Sequence, residues 1–502
     1  MSRRKLLLFF CRIMVQEVFC GMNISKNIEE NKKHFKALFH DSADIKIRDI
    51  ELGIHNPRRC LLAYIEVSLG DLLTKRYALD QAVDGNLLDL SDAEAFMSIE
   101  EAGQAMLTGD VILFVDGYDY AVKIPDKGYP GMDVKESDSE KVVRGSNEAF
   151  SDSIKQNTAI IRRRVRSTRV TVKEVTIGVR SHTNIDLVYM EDLASKSLIH
   201  RLEEKIQAYI VDGVFDSGML QHLMKDKWYS PFPQLQTTTR PDRAGMAILE
   251  GRVVILVDNS PVALIAPTDV NSFLKTVDDY YNNFETATFA RIIRYLATFF
   301  SMALPGLYLA AINFHTQGFP TPLILAFWES RIGMPFPSTL EVLLMEISFE
   351  LLREAGVRLP GAMGNTIGIV GGLIIGQAAV EASLVSPIVV IVVAFTALCS
   401  FSIPNEEFAF SFRLLKFFVI AMAAWLGYFG FLISIFMVLI HLAGLESYGI
   451  PYLTPFVTKR KMKEEKEQTN DAIWRYPLRF LRKRPVYANE KEKIKLRKRE
   501  DK

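Results

Sequence analysis

Hydrophobic patterning divides the chain in two. Up to about residue 290, apolar positions come in short runs separated by polar turns, the mixture of twofold and helical periods expected of α/β sequence. From 292 to 450 the residues are mostly apolar, in runs that reach the ~20 residues a bilayer crossing requires. Spans are predicted at 292–314, 360–380, 384–403 and 414–441. Pro305-Gly306 marks a kink or break in the first. The last run exceeds one crossing, so it tilts or breaks near Gly427 and Gly430. The Pro-rich stretch 317–338 is too short for a clean span; with the helix after it, it is either re-entrant or interfacial. The predicted fold class is an α/β soluble head of two duplicated subdomains followed by an α-helical transmembrane bundle of about four spans.

The duplication is visible in the head. IRDIELGIHNPRRCLLAYIE (47–66) and VKEVTIGVRSHTNIDLVYME (172–191) place Gly53 and Gly178, and Tyr64 and Tyr189, at the same separation. Each copy reads as strand, turn, strand, then a helix (69–83 and 194–211) ending at Asp84-Gly85 or Asp212-Gly213. GDVILFVDGYDYAVKIP (109–125) and GRVVILVDNSPVALIAP (251–267) both read as hairpins around Asp-Gly or Asp-Asn. A helix opens each copy, at 28–39 and 150–164. The expected domains are 27–135 and 140–285, then a membrane domain at 290–456 and a basic tail at 457–502. Residues 1–26 are an extension with a signal-like basic and apolar start but no clear cleavage site; Met22 is an alternative first residue.

The stretch 338–380 concentrates the candidate chemistry. Glu341, Glu346, Glu350 and Glu354 lie on one helix. Carboxylates near lipid are costly unless paired or wet, so they mark either an ion pathway or a surface helix with acids in water or paired with Arg353 and Arg358. Gly364, Gly368, Gly372 and Gly376 recur at every fourth place, a face that permits close helix approach. Asn365 and Thr366 either line a pore or bond across helices. A packed bundle and a pore both remain open on these residues.

Composition narrows the rest. The 60 Lys+Arg against 59 Asp+Glu give no nucleic-acid signature, and the four cysteines and eight histidines form no metal or redox spacing. No phosphate loop, nucleophile elbow or metalloprotease motif occurs, so no enzyme, cofactor or metal is expected. A transporter would show repeats in its membrane part, and the repeat here is in the head. The cluster Arg162-Arg163-Arg164 with Arg166 and Arg169 reads as a solvated helix end or as a contact for anionic lipid or an acidic partner. SPFPQLQTTTRPDR (230–243) reads as a recognition surface or a long surface connection. Arg291 and Arg294 before the first span and Lys459, Arg460, Lys461 and Lys463 after the last place both ends in the cytoplasm; Arg413 and Lys416 argue mildly against it. DAIWRYPLRFLRKRP (471–485) reads as a short helix on an anionic membrane surface.

The chain closely resembles the A subunit of nutrient germinant receptors, the spore germination proteins of the GerA family. The matching stretches are RGSNEAFSDSIKQNTAIIRRRVRS, SPFPQLQTTTRPDRAGMAILEGRVVILVDNSPVALIAP, MPFPSTLEVLLMEISFELLREAGVRLPGAMGNTIGIVGGLIIGQAAVEASLVSP, YGIPYLTPF and RYPLRFLRKRP. Two departures stand out: Gly145-Ser146-Asn147-Glu148-Ala149-Phe150 where the family has Gly-Pro-Arg-Glu-Gly-Phe, and Thr238-Thr239-Arg240-Pro241-Asp242 where it has Thr-Glu-Arg-Pro-Asp. The resemblance implies a multi-pass protein of the spore inner membrane, its head and tail cytoplasmic. It implies a transporter-like B subunit and a lipoprotein C subunit as partners, a homo-oligomer, and a role as a ligand-gated ion channel with its gate within 338–380. A non-conducting scaffold coupling a separate sensor to effectors is the alternative.

Overall fold

The computed structural model describes residues 22–55, 57–66, 80, 83, 94–124, 140, 142, 144–318, 320–358, 372, 376–457, 471–481, 483–485, 487, 488 and 494. The chain divides into a head unit (to 225, 237–267 and 483–497) and a helical unit (226–236, 268–482 and 498–502).

In the head, the two matching sequences become two sheets of the same strand order. The first copy comprises α1 (Ile28–Leu38), β1 (Ile45–Leu52), β2 (Arg58–Ile65), β3 (Glu94–Phe96), α2 (Ile99–Met106), β4 (Val111–Val115) and β5 (Ala121–Ile124). The second comprises α3 (Ile154–Arg164), β6 (Val170–Ile177), β7 (Thr183–Met190), α4 (Lys196–Gln207), α5 (Ser217–Met224), β8 (Gln236–Thr238), α6 (Pro241–Leu249), β9 (Val253–Val257) and β10 (Ala263–Ala266). The sheets run β1-β2-β4-β5-β3 and β6-β7-β9-β10-β8.

The copies share polar joints as well as topology. Asn31 and Asn157 each accept a backbone N–H, from Ser25 and Ser151, and donate back to the same residue's carbonyl. The first N–H of α1 and of α3 donates to Asp116 and Asp258, the aspartates of the two hairpin turns. Each turn residue thus also satisfies an orphan donor at a helix start. Gly117 and Asn259 follow them with φ of 88° and 63°, the left-handed turn conformation that those residues tolerate.

Two expectations need correction here, and a third falls where few residues are described. The helix expected at 194–211 stops at Gln207, and Asp212-Gly213 instead closes the β6–β7 turn, the Asp212 carbonyl accepting from Arg180 and Ser181. The helix expected at 69–83 lies largely outside the described residues. The arginine cluster is a solvated helix end only in part: Arg166 and Arg169 are exposed and Arg163 and Arg164 half-buried. Arg162 is fully buried, its Nε and Nη2 on the two Asp44 oxygens at 2.8 and 2.9 Å. Arg163 and Arg164 both take Glu148, and Arg169 takes Asp192 at 2.7 Å. Burial by itself would raise the Asp44 carboxyl, but the Arg162 guanidinium outweighs it and holds the carboxyl below its usual range.

Asp186 on β7 is the opposite case. Burial pushes its carboxyl up to about 7, against a hydrogen bond from Thr158 at 3.0 Å and the more distant Lys155. The folded chain therefore holds a proton that the unfolded chain releases near pH 4. Stability from this group is complete below pH 4 and is lost as pH rises to about 7, by up to ~4 kcal/mol. Asp186→Asn keeps the acceptor for Thr158 and cannot ionise. It is expected to raise stability at pH 8 by about 2–4 kcal/mol and to change little at pH 4–5, read from unfolding midpoints. A difference independent of pH would contradict the assignment.

The helical unit contains α7 (Val270–Leu274), α8 (Asp278–Tyr281), α9 (Phe284–Phe314), α10 (Thr321–Glu329), α11 (Ser338–Arg358), α12 (Pro387–Phe401), α13 (Glu406–Ala443) and the small hairpin β11 (Glu446–Ser447) and β12 (Ile450–Pro451). Among the described residues, α9 and α13 are long and apolar enough to cross a membrane. α12 has 15 residues, short of the ~20 for a perpendicular crossing. The span expected at 360–380 falls largely outside the described residues. Pro305 and Gly306 do not break α9; both are buried within it. Gly306 is where α13 comes closest, since a Cβ there would meet Val419 Cγ1 at 2.7 Å and the Val419 carbonyl at 3.2 Å.

α13 does break, at Gly427, whose φ of 60° and ψ of −137° suit glycine alone. The chain reverses there. A straight helix would separate Phe412 from His441 by about 44 Å at 1.5 Å per residue. Yet the Phe232 ring centroid lies 5.4 Å from Phe412 and 6.0 Å from His441. So 406–426 and 428–443 form two antiparallel arms, and their open end belongs to one apolar cluster with Phe408, Phe412, Val438 and Leu442.

The Pro-rich loop and the tail also differ from expectation. Ser230, Phe232, Gln234 and Gln236 are buried, so this part of the loop is an internal strap of the helical unit rather than a surface. The tail forms no α-helix within 471–481, only a 3-10 turn at Leu478–Phe480. It is held by Asp471, which receives Arg291 at 2.7 Å, Tyr280 at 2.7 Å and Lys275 at 3.2 Å. Burial opposes ionisation of Asp471, but Lys275 and Arg291 bring its carboxyl down to about 2. Trp474, Leu478 and Phe480 remain exposed beside this clip.

Candidate functional site

α11 buries two of its acids, alongside Val342, and leaves four of its large apolar side chains outside. Glu341 and Glu346 are 0% and 1% exposed, whereas Leu340, Leu344, Ile347 and Leu351 are 39, 41, 49 and 66% exposed. In water that orientation would forfeit about 1.5–3 kcal/mol for each large apolar side chain left out. In lipid the forfeit vanishes, and it is the charged face that must find partners.

Each acid has one. Glu341 receives Arg331 at 3.3 Å and the backbone N–H of Ser386 at 3.0 Å, the residue that begins α12. Glu346 receives Lys416, which is itself 3% exposed and also reaches Glu350 at 3.4 Å. Glu350 takes Arg413 at 3.2 Å. Glu354, one turn on, is exposed and bonded to Arg358 at 2.7 Å. The acids are thus a ladder: Glu346 and Glu350 draw their counter-ions from α13, while Glu341 takes Arg331 from the loop before α11; only Glu354, paired with Arg358 on its own helix, follows the reading of a surface helix. Arg353 bonds Ser400 at 3.4 Å and lies over the Phe401 ring. Within the ladder Glu346 Oε1, Arg331 Nε and Arg413 Nε are buried without a hydrogen-bond partner among the described residues.

Lys416 and Arg413 were legible as a problem rather than as an answer. Two cations three residues apart in an apolar run need anions at matching spacing, and Glu346 and Glu350, one turn apart, supply it. Their pairing also removes them from the count of charges that would orient the last span.

Of the glycine face, Gly364 and Gly368 lie outside the described residues, as do Asn365 and Thr366. A Cβ added at Gly372 would meet no described residue within 4 Å, and one at Gly376 would make ordinary contact with Val390 at 3.7 Å. Among the described glycines of the helical unit, Gly306 and Gly430 lie close to backbone, of Val419 and Met422, and Gly427 lies close to the Phe314 side chain. The described residues contain no cluster of three or more His, Cys, Asp or Glu arranged to hold a metal.

The comparisons with known proteins agree in kind. The family of the Bacillus/Clostridium GerA spore germination protein matches residues 33–487. Spore germination protein KA of Bacillus subtilis (strain 168) is 33% identical over 493 residues, covering 95% of this chain and 89% of that protein. The uncharacterized membrane protein YfkQ of the same strain is 34% identical over 495 residues, covering 95% and 94%. A crystal structure of the N-terminal domain of the A subunit of the Bacillus megaterium spore germinant receptor GerK3 aligns with 49% of this chain and 97% of that one, at 24% identity and a TM-score of 0.38. With the family matched over nearly its whole length, this chain belongs to the GerA family of spore germination proteins.

Proposed function

We propose that this chain is the A subunit of a spore nutrient germinant receptor, an oligomeric subunit of the inner membrane that passes ions when nutrient is bound. A transporter-like B subunit and a lipoprotein C subunit are its partners, and its head and tail are cytoplasmic. The observation that carries the reading is the reversed face of α11: buried, paired acids and an exposed leucine stripe. It supports a polar interior within an apolar exterior, the arrangement an ion path needs. The buried Glu346 Oε1, unbonded among the described residues, supports a place for water or a cation in that interior.

The scaffold reading has its own support. Every described acid of α11 has a cation, so the arrangement is a closed one and a purely structural ladder would look the same. Nutrient-triggered cation release from spores, with protein level checked by blot, discriminates the two.

Membrane embedding has a direct test. The chain's four tryptophans, Trp228, Trp328, Trp425 and Trp474, all lie in the helical unit and all are exposed. α13 is also only one third buried over its apolar window, unlike the core helix of a soluble protein. In nanodiscs, a variant retaining Trp425 alone is expected to be quenched by brominated acyl chains and shielded from iodide. Full iodide quenching with no effect of bromine would contradict the membrane reading.

A further inference from the structure

The strap at 226–236 is a short piece of chain assigned to the helical unit, while the sequence before and after it belongs to the head unit. Its contacts fall on both arms of α13. From the first arm, Ser411 Oγ donates to the Pro231 carbonyl at 2.7 Å. From the second, His441 Nε2 bonds Ser230 Oγ at 2.8 Å, and Lys227 donates to the Gly444 carbonyl just past the arm's end. Between the arms sits Phe232, fully buried, with ring centroids at 5.4 Å to Phe412 and 6.0 Å to His441.

The seat reads the backbone of the strap. Tyr452 donates to the Pro233 carbonyl at 2.7 Å and Ser447 to the Gln234 carbonyl at 2.8 Å. Pro231 and Pro233 have no N–H to leave unpaired and the Phe232 N–H donates to Ser230 Oγ at 3.3 Å, so the segment offers its carbonyls to the hydroxyl donors of the seat. The strap's turn is held from within: the Gln234 side chain accepts the Asp226 N–H at 2.7 Å and donates to the Lys227 carbonyl at 3.1 Å. Apart from the exposed Lys227 ammonium, these are single neutral hydrogen bonds around one aromatic plug, a joint that separates without stranding a buried charge.

We infer that residues 226–236 are a clasp that holds the two arms of α13 together at their open end, and that the flanking head sequence acts on the helical unit by seating or withdrawing it. The clasp stands on the geometry alone; the signalling half rests on the receptor reading above.

The test uses the full-length chain in nanodiscs, its four cysteines replaced by alanine and spin labels placed at 410 and 440, exposed positions on opposite arms. Unaltered, the pair is expected to give one narrow distance distribution. Phe232→Ala, and independently Ser230→Ala with Ser411→Ala, are expected to broaden it and lengthen it by about 5 Å, the pitch of one helical turn. Should Phe232→Ala fail to fold, the hydroxyl pair, which removes only oxygens, decides. An unchanged distribution in that folded pair overturns the clasp. In spores, the same hydroxyl variant is expected to shift the half-maximal nutrient dose about tenfold, or 1.4 kcal/mol. Opened arms with an unshifted dose leave the clasp and overturn its signalling role. A nutrient response that persists in spores lacking this chain altogether fails the receptor reading and the signalling half with it, leaving the clasp to the distance measurement.

Discussion

Lys416→Met is expected to cost about 3–5 kcal/mol, because it leaves the Glu346 carboxylate buried with no counter-ion while Glu350 keeps Arg413. Glu346→Met alone strands Lys416 in the same way, less severely, since Glu350 at 3.4 Å remains. The double variant Glu346→Met with Lys416→Met removes both charges and fills the space with flexible apolar side chains. It is expected to lie within about 1 kcal/mol of the unaltered protein, or above it, because two desolvation penalties disappear together. Thermal unfolding of the full-length chain in nanodiscs measures all three. A double variant as unstable as the sum of the singles would mean that the residues act separately and that the ladder is not a paired unit.

Gly427→Ala is the second large effect. An L-residue at φ 60° and ψ −137° costs on the order of 1–3 kcal/mol in backbone strain. The added methyl would stand 2.7 Å from Phe314 Cγ, an overpacking of about 1–3 kcal/mol more. The arms of α13 are therefore expected to lose their reversal, with unfolding advanced by the sum of the two. Gly318→Ala, with nothing within 4 Å and an ordinary φ, is the control and is expected to be neutral. Equal behaviour of the two variants would contradict the reversal at Gly427.

The head was the part most legible in the sequence, and for a physical reason. Short apolar strands, the central ones buried almost throughout, and turns built on Asp-Gly or Asp-Asn are set by near neighbours, and duplication printed the pattern twice. What pattern alone missed was long-range: Arg162 reaching Asp44, 118 residues away. In the helical unit, hydrophobicity located α9 and α13 and their C-terminal ends but did not give where they start or the reversal. Gly427 and Gly430 flagged a break without its direction, which depends on Phe314 and the strap. Most telling is α11. Its sequence left the facing open between an ion pathway and a surface helix, because spacing alone does not say which side meets the surroundings. Glu346 and Glu350 became interpretable once Lys416 and Arg413 stood opposite them.

The central claim is that the paired interior between α11 and α13 carries ions during germination. The measurement that tests it most directly is nutrient-triggered cation release from spores whose sole copy of this chain is the Glu346→Met, Lys416→Met double variant. The account predicts protein at the unaltered level, with release either constitutive or slowed at least tenfold, about 1.4 kcal/mol or more on the passage step. Release at the normal rate and nutrient dose, with the protein present, would contradict it and leave the ladder a structural joint of a non-conducting subunit.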